Sequence, residues 1–300
     1  MQKSIKKNLE NFGNWAGMFP FFLFILVFVI IPSANLFLGA FMDGNGHFTW
    51  SNIQVMMNPY VLKSYKISLE VGVITSVIGG LFGFFVAYAI TIGHAPRFMR
   101  SILMTFSGLA ANFGGVPLAF AFIATLGHTG FITGFIKQIC FTGAGGVQSC
   151  PFDLYKTGFN LYSLAGLTLA YLYFEFPLMV LTITPALEGL KKEWREASDN
   201  LGGSSFQYWF HIAIPVLWPS ILASMILLFA SAFGAFATAE ALTGGSIYLV
   251  TILIGQQIRG DVLNNPNEGY ALALGMVVIM SLSIIGYTIL QRRTVKWLKS

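Results

Sequence analysis

Residues 188–219 read EGLKKEWREASDNLGGSSFQYWFHIAIPVLWP. Charge is dense at the start of this stretch, in Glu188, Lys191, Lys192, Glu193, Arg195, Glu196 and Asp199. Leu187, Leu190, Trp194, Ala197 and Leu201 recur three or four residues apart, which lays one apolar stripe along a helix. Gly202 and Gly203 end that helix. Ser204 and Ser205 supply capping hydroxyls for a second short helix from Phe206, and Pro215 and Pro219 lead the chain onward. The stretch therefore predicts a helix–turn–helix too polar to cross a bilayer. It is either an ordinary amphipathic connector or a patterned functional protrusion.

On both sides of it the charges vanish. The uncharged stretches are 12–42, 71–96, 101–136, 157–187 (interrupted by Glu175), 200–239 and 269–291. A helix needs about 20 apolar residues to cross the hydrocarbon core, and each stretch is long enough. Trimmed at Pro, Gly and polar positions, they predict six transmembrane helices near 19–41, 67–92, 101–126, 160–184, 217–240 and 269–291, with a cytoplasmic loop at 188–216. Barrel strands would alternate in hydrophobicity over about 10 residues, and these runs do not. Composition agrees: of 300 residues 55% are hydrophobic and only 10% charged, against about 25% charged in soluble domains. The 29 Phe, 11 Tyr and 6 Trp exclude disorder. The whole chain, 1–300, is thus expected to be one all-α polytopic membrane domain.

Six spans place both termini on one side. Lys3, Lys6, Lys7, Arg97, Arg100, Lys191, Lys192, Arg195, Arg292, Arg293, Lys296 and Lys299 fall on that side, against Lys63, Lys66, Lys137, Lys156 and Arg259 on the other. Positive charge accumulates on the cytoplasmic side, so both termini are expected there. The net charge of +5 then reflects topology and attraction to anionic lipid rather than nucleic acid. The apolar run after residue 19 lacks an A-x-A-like cleavage site and continues past Pro32, which predicts a retained first helix rather than a signal peptide. Cys140 and Cys150 fall in the outward loop between the third and fourth helices, beside Gly143, Gly145 and Gly146. They are either a disulfide, which an oxidising compartment permits, or two unpaired thiols. Residues 42–66, with Trp50, Asn52 and Pro59, predict a short amphipathic piece before the second helix; 247–258 predicts an interfacial or re-entrant helix.

The 188–219 stretch resembles the hallmark loop of the permease subunits of binding-protein-dependent ATP-binding-cassette (ABC) importers: Glu-Ala-Ala, three residues, Gly, nine residues, Ile, one residue, Leu-Pro. Here stand Glu196, Ala197 and Ser198, then Gly202, Ile212, Ile214 and Pro215. The departures are Ser198 and Ile214. Over roughly 15–292 the order of spans, Pro32, Asn52 and the Gly-Gly-Val-Pro of 114–117 are similar to polyamine permeases and their relatives. The resemblance implies a type I importer permease fold in the cell inner membrane. It implies that Glu196, Ala197 and Gly202 shape a coupling element, with Phe206, Tyr208 and Trp209 as faces of it and Ile212 and Pro215 as further coupling positions. The expected partners are an ABC ATPase dimer, a second permease (a sister chain favoured over a second copy), an extracytoplasmic solute-binding protein and membrane lipid. No Walker motif G-x-x-x-x-G-K-[ST] occurs, so ATP and Mg are expected on the separate ATPase, with no cofactor on this chain.

Inside the spans, Glu175 is the acid that needs an explanation, because a carboxylate at a helix centre costs at least ~2.5 kcal/mol. It is either a contact for a cationic solute or a gate in the path, or a protonated or hydrogen-bonded acid between helices, paired with a Tyr or with Asn112. Asn112 with Gly114, Gly115 and Pro117 predicts an interruption of the third helix. Substrate sites of transporters collect at such breaks; packing through small residues is the alternative. Tyr171, Phe233 and Thr238 are further path candidates. Polyamine-like resemblance and one membrane acid point to a small organic cation. The competing reading is an ion-coupled secondary transporter using Glu175. His47, His94, His128 and His211 are scattered, without metal-site or catalytic spacing, so neither a metal site nor an enzyme is expected.

Overall fold

The computed structural model describes residues 18–93, 96–138, 141–142, 148–149, 155–156, 158–259 and 265–298. Cys140 and Cys150, with the pairing expected for them, lie outside the described residues. The elements are α1 (Met18–Gly39, with a π-helical stretch Leu26–Ile30), α2 (Ser51–Val55), α3 (Pro59–Thr91), α4 (Arg97–Asn112), α5 (Gly115–Leu126), α6 (Phe131–Gln138), α7 (Leu164–Glu188), α8 (Lys192–Asn200), α9 (Ser205–Tyr208), α10 (Ile214–Gly234), α11 (Ala237–Thr243), α12 (Val250–Arg259) and α13 (Pro266–Leu298). A minimal antiparallel pair, β1 (Phe141–Thr142) with β2 (Gln148–Ser149), sets Phe141 opposite Ser149.

Among the described residues, six helical segments are long and apolar enough to cross a membrane: Met18–Gly39, Pro59–Thr91, Gly115–Lys137, Leu164–Glu188, Ser205–Gly234 and Pro266–Ile289. The chain is an all-α polytopic membrane protein. Helices overrun the apolar stretches where charged turns remain helical: α3 begins before Lys63 and Lys66. The expected third helix, 101–126, is not one rod. It breaks at Phe113 and Gly114 into α4 and α5, and the apolar run of sufficient length continues from Gly115 to Lys137. The expected fifth helix, 217–240, breaks likewise at Ala235, whose backbone is extended, so α10 ends at Gly234 and α11 begins at Ala237.

The chain divides into two compact units, Met1–Leu62 with Ile254–Val278, and Lys63–Leu253 with Ile279–Ser300. In the first, the Asn52 amide donates to the carbonyls of Ala40 and Met42 at 3.3 and 2.7 Å, fastening α2 to the end of α1. Glu268 accepts from Gln257 and Asn265, which ties α12 to the first turn of α13.

The second unit holds two apolar cores. One gathers Leu118, Leu167, Tyr171, Phe174, Ala239, Leu242 and Ile252. The stretch expected to be interfacial or re-entrant contributes Ile252 to it; Val250 is buried as well, and its N–H donates to Ser68 Oγ at 2.9 Å. The other gathers Ala87, Ile90, Met179, Val180, Ile183, Leu187, Leu217 and Leu228. Close approach of backbones builds both. A Cβ at Gly79 would lie 2.8 Å from Glu175 Cβ, and one at Gly83 would lie 2.5 Å from Met179 Cβ. On its neighbouring face α3 turns Gly72 toward Phe229 and Gly80 toward Met225. Helices in a membrane gain little from expelling water from one another, so packing of this closeness supplies the association.

Candidate functional site

The chain at 188–219 forms a hairpin as its sequence suggests, but the stripe from Leu187 to Leu201 does not lie on one helix: α7 ends at Glu188 and α8 begins at Lys192. Lys191 is the extended N-cap of α8, and Gly202 (φ +77) reverses the chain in the left-handed region, where a Cβ is strained. The Gly203 N–H donates to Ser198 O at 2.8 Å, and a Cβ at Gly203 would meet Ser198 Oγ. Ser204 caps the second arm with a capping box: its Oγ accepts from Gln207 N, and Gln207 Oε1 accepts from Ser204 N at 2.7 Å. The arm starts at Ser205, widens into a π-helical stretch at Trp209–Ala213, and runs unbroken into α10. Displacement of the hairpin is therefore displacement of a membrane helix.

The expected coupling residues divide by face. Glu196, Ala197, Gly202, Phe206 and Pro215 are exposed, and Ile212 is half-buried. Phe206 is 75% exposed, and its ring stacks at 5.9 Å on Phe210, which is exposed too. Tyr208 and Trp209 turn inward: Tyr208 is buried, and the Trp209 ring meets that of Tyr88 on α3 edge-to-face, 4.9 Å between centroids, and packs against the second core. Between the arms lies a cavity of about 500 Å³, lined by Trp194, Ala197, Leu201, Gln207, Ile212 and Val216 among others. Trp194, Ala197 and Leu201 of the apolar stripe face this opening, whereas Leu187 belongs to the second core and Leu190 packs against it. Phe210 and Arg195 were not singled out from sequence. The spacing of Phe206 to Phe210, and of Arg195 to Asp199, is one helical turn and was the available signal.

The path candidates gather at the two helix breaks. At the first break Gly115 (φ +72) opens α5, and its N–H donates 2.8 Å to Thr238 Oγ1 of α11. At the second, the Tyr171 hydroxyl of α7 donates 2.8 Å to the carbonyl of Ala235. Each break thus leaves a backbone group whose partner comes from another helix, as an apolar surrounding requires. Packing follows the breaks: α4 and α10 pack on α7, whereas α5 packs chiefly on α11. Tyr171, Glu175, Phe233 and Thr238 are all buried, with Glu175 at 0% exposure. Phe233 stacks on Phe229 at 5.4 Å. Among the described residues the space lined by Tyr171, Phe233 and Ala235 is too narrow to admit water, so the region is packed shut.

Two expectations for this region resolve differently. Asn112 is exposed, and its amide returns to Gly108 O at 2.8 Å on its own helix. Neither carboxylate oxygen of Glu175 has a hydrogen-bond partner among the described residues, so the pairing with a Tyr or with Asn112 is not made. One carboxylate oxygen of Glu240, on α11, is likewise buried and unpartnered. At the hairpin end of the bundle an Arg100–Glu188 ion pair joins α4 to α7. Both side chains are 43% exposed, which limits such a pair to about 1 kcal/mol.

A family model described as "Binding-protein-dependent transport system inner membrane component" matches residues 79–300. The spermidine/putrescine transport system permease protein PotB of Haemophilus influenzae is 26% identical over 274 residues, which is 89% of this chain and 90% of that protein. The sulfate transport system permease protein CysT of Escherichia coli is 27% identical over 215 residues, 71% of this chain and 69% of that one. The ferric transport system permease protein FbpB of Actinobacillus pleuropneumoniae is 24% identical, over 87% of this chain and 36% of its own. Among solved structures, a chain of a bacterial ABC transporter that imports alginate superposes with a TM-score of 0.70 at 13% identity, covering 97% of this chain and 99% of that one. A chain of the inward-facing MetNI methionine ABC transporter gives 0.52 at 12% identity, covering 79% and 98%.

Proposed function

The chain belongs to the family of inner-membrane components of binding-protein-dependent transport systems, and on that premise we propose how this ABC importer permease turns ATP hydrolysis into movement of a small solute. The hairpin of α8 and α9 is the coupling element, gripped from the cytoplasm by a separate ATPase dimer that carries ATP and Mg. The observation that carries this reading is the continuity of its second arm with α10 through the π-helical stretch Trp209–Ala213. A rigid protrusion that is also the end of a membrane helix transmits a push without slack. Phe206 and Phe210 are the contact surface. Glu196, Ala197 and Gly202 match the importer hallmark and fix the bend.

Movement of α10 ends at Ala235, where the carbonyl is held by Tyr171 and the next turn is tied through Thr238 to Gly115. The two breaks are where a tilt of α4 and α10 becomes a parting from α5 and α11, and so where the path opens. A second permease completes the channel, most naturally a sister chain, and a solute-binding protein outside the cell delivers the cargo. For the cargo we favour a small organic cation. Glu175 supports it, as a buried carboxylate without a partner that a cation would satisfy once α3 and α7 separate. The 26% identity to a spermidine/putrescine permease supports it too; sulfate and ferric permeases among the relatives mark the other solutes to be tested. No specific observation favours the ion-coupled alternative.

The test is a pair of variants in the reconstituted importer. Gly202→Val places a Cβ at φ +77, and Glu196→Lys reverses a charge on the hairpin. Expected is loss of solute uptake with ATP hydrolysis persisting, or loss of the ATPase subunit from the purified complex. Wild-type uptake in both variants at wild-type expression refutes the coupling assignment. A ligand-induced melting screen on the partner binding protein, with polyamines, sulfate and ferric ion as probes, identifies the cargo.

A further inference from the structure

A hairpin bent at two glycines is a poor lever unless something fixes the angle between its arms. Arg195 is placed to do so. From α8 its Nε donates to Asp199 Oδ2 at 3.1 Å, one turn along the same helix. Its Nη2 donates to Ser205 Oγ at 2.7 Å, on the other arm. Its guanidinium carbon stands 5.1 Å from the ring centroid of Tyr208, also on the other arm. Tyr208 is buried and meets Trp209 edge-on at 6.0 Å, and Trp209 meets Tyr88 of α3 at 4.9 Å. One side chain thus connects the outer arm to the inner arm and, through two rings, to a membrane helix.

We propose that Arg195 is a positioning residue for energy coupling: it braces the two arms of the hairpin so that force applied to α8 moves α10 instead of folding the Gly202–Gly203 turn. The inference rests on the lever reading of the hairpin. The chemistry calls for arginine. The guanidinium fork binds a carboxylate and a hydroxyl in different directions while its flat face lies on an aromatic ring, and a lysine ammonium, a single rotatable point, does not reproduce all three at once. Asp199 orients the fork and Ser205 receives it. Tyr208 supplies the surface and, being buried, carries the load inward.

The experiment compares Arg195→Ala, Arg195→Lys and Tyr208→Leu with wild type in the complete importer in proteoliposomes. The readouts are solute uptake, ATP hydrolysis, and amide hydrogen exchange over 204–213. Losing a charge-assisted contact between the arms is expected to lower solute moved per ATP about tenfold in Arg195→Ala, at near-wild-type hydrolysis. Arg195→Lys, which keeps the charge and folds most easily, is expected to remain uncoupled by a smaller factor. Exchange over 204–213 should quicken in all three. Unchanged exchange in Arg195→Ala overturns the brace. Quickened exchange with wild-type solute per ATP overturns its part in coupling. If the variant complexes fall apart while Arg195→Lys is fully coupled, the residue serves assembly alone and the proposal fails. The lever reading is judged separately by Gly202→Val: uncoupling there, with full coupling in Arg195→Ala, leaves the lever standing without its brace.

Discussion

Glu175 sets two physical demands against each other. Burying a carboxylate without a hydrogen-bond partner is unfavourable, and among the described residues no hydrogen bond offsets it here. On the reading proposed above, that cost is met by a cationic solute in another state of the cycle; a protonated acid between helices is the competing reading. Glu175→Gln removes the charge and keeps the shape, so the two readouts should separate. The thermal midpoint of the purified complex should hold or rise, and uptake of a cationic solute should fall about tenfold, the value of one charge-assisted contact. Wild-type uptake at wild-type expression discards the cation reading, and a lowered midpoint says that the carboxylate is structural. Its neighbour across the helix contact tests packing alone. Gly79→Val drives a branched side chain into Glu175 Cβ, where even a Cβ would sit at 2.8 Å, and should destabilise by about 1–3 kcal/mol, read as a lower midpoint with weakened uptake. The acid was visible in the sequence as the lone charge in an apolar run. The glycine's purpose was not, because the residue it approaches lies on another helix, and composition along one helix says nothing about which helix will face it.

At the scale of elements, the broken helices divide the legible from the hidden. Gly114, Gly115 and Pro117 announced the interruption between α4 and α5, since glycine releases φ and proline removes a donor. The break between α10 and α11 falls at Ala235 and Phe236, apolar residues that hydropathy scores as one continuous span. What permits it is tertiary: Tyr171 takes up the Ala235 carbonyl and Thr238 the Gly115 N–H. Tyr171→Phe should therefore cost about 1 kcal/mol, the net value of one such bond, and Thr238→Val about 1–2 kcal/mol, because it leaves a partly buried N–H unsatisfied. Denaturation of the purified complex measures both. If the two ties share one junction, the double variant should lose less than the sum of the single ones; strict additivity would mean that the breaks are held independently. In the hairpin, by contrast, nearly everything was local. The glycine turn and the serine cap depend on neighbours within a few residues, so sequence placed them within about one residue; the apolar stripe was misjudged as one helix, because the chain breaks at 189–191 and leaves Leu187 on α7. What sequence did not reveal is which way Tyr208 and Trp209 turn, because their spacing on the arm says nothing of Tyr88 and Arg195, against which they pack.

For the whole molecule, charge and hydropathy decided the topology before any packing was known, because lipid penalises charge wherever it falls within the bilayer. Everything proposed for coupling depends on one consequence of that topology, that the hairpin meets the cytoplasm. Single cysteines test it in a chain with Cys140 and Cys150 replaced by Ser. Phe206→Cys stands at an exposed position on the hairpin, and Trp50→Cys at an exposed position between the first two spans. A membrane-impermeant maleimide should modify Phe206→Cys in inside-out vesicles and spare it in intact cells, while Trp50→Cys should show the reverse. The ATPase adds a second dimension. If Phe206 and Phe210 form the contact surface, adding the ATPase subunit to stripped inside-out vesicles should slow modification of Phe206→Cys, and leave unchanged a control cysteine at exposed Lys137 when assayed from its own, outer side. Modification of Phe206→Cys from outside the cell would invert the topology and remove the lever. Correct sidedness without protection by the ATPase would keep the topology and move the contact elsewhere on the hairpin, to the cavity between its arms, where Trp194, Leu201 and Ile212 offer the next apolar surface.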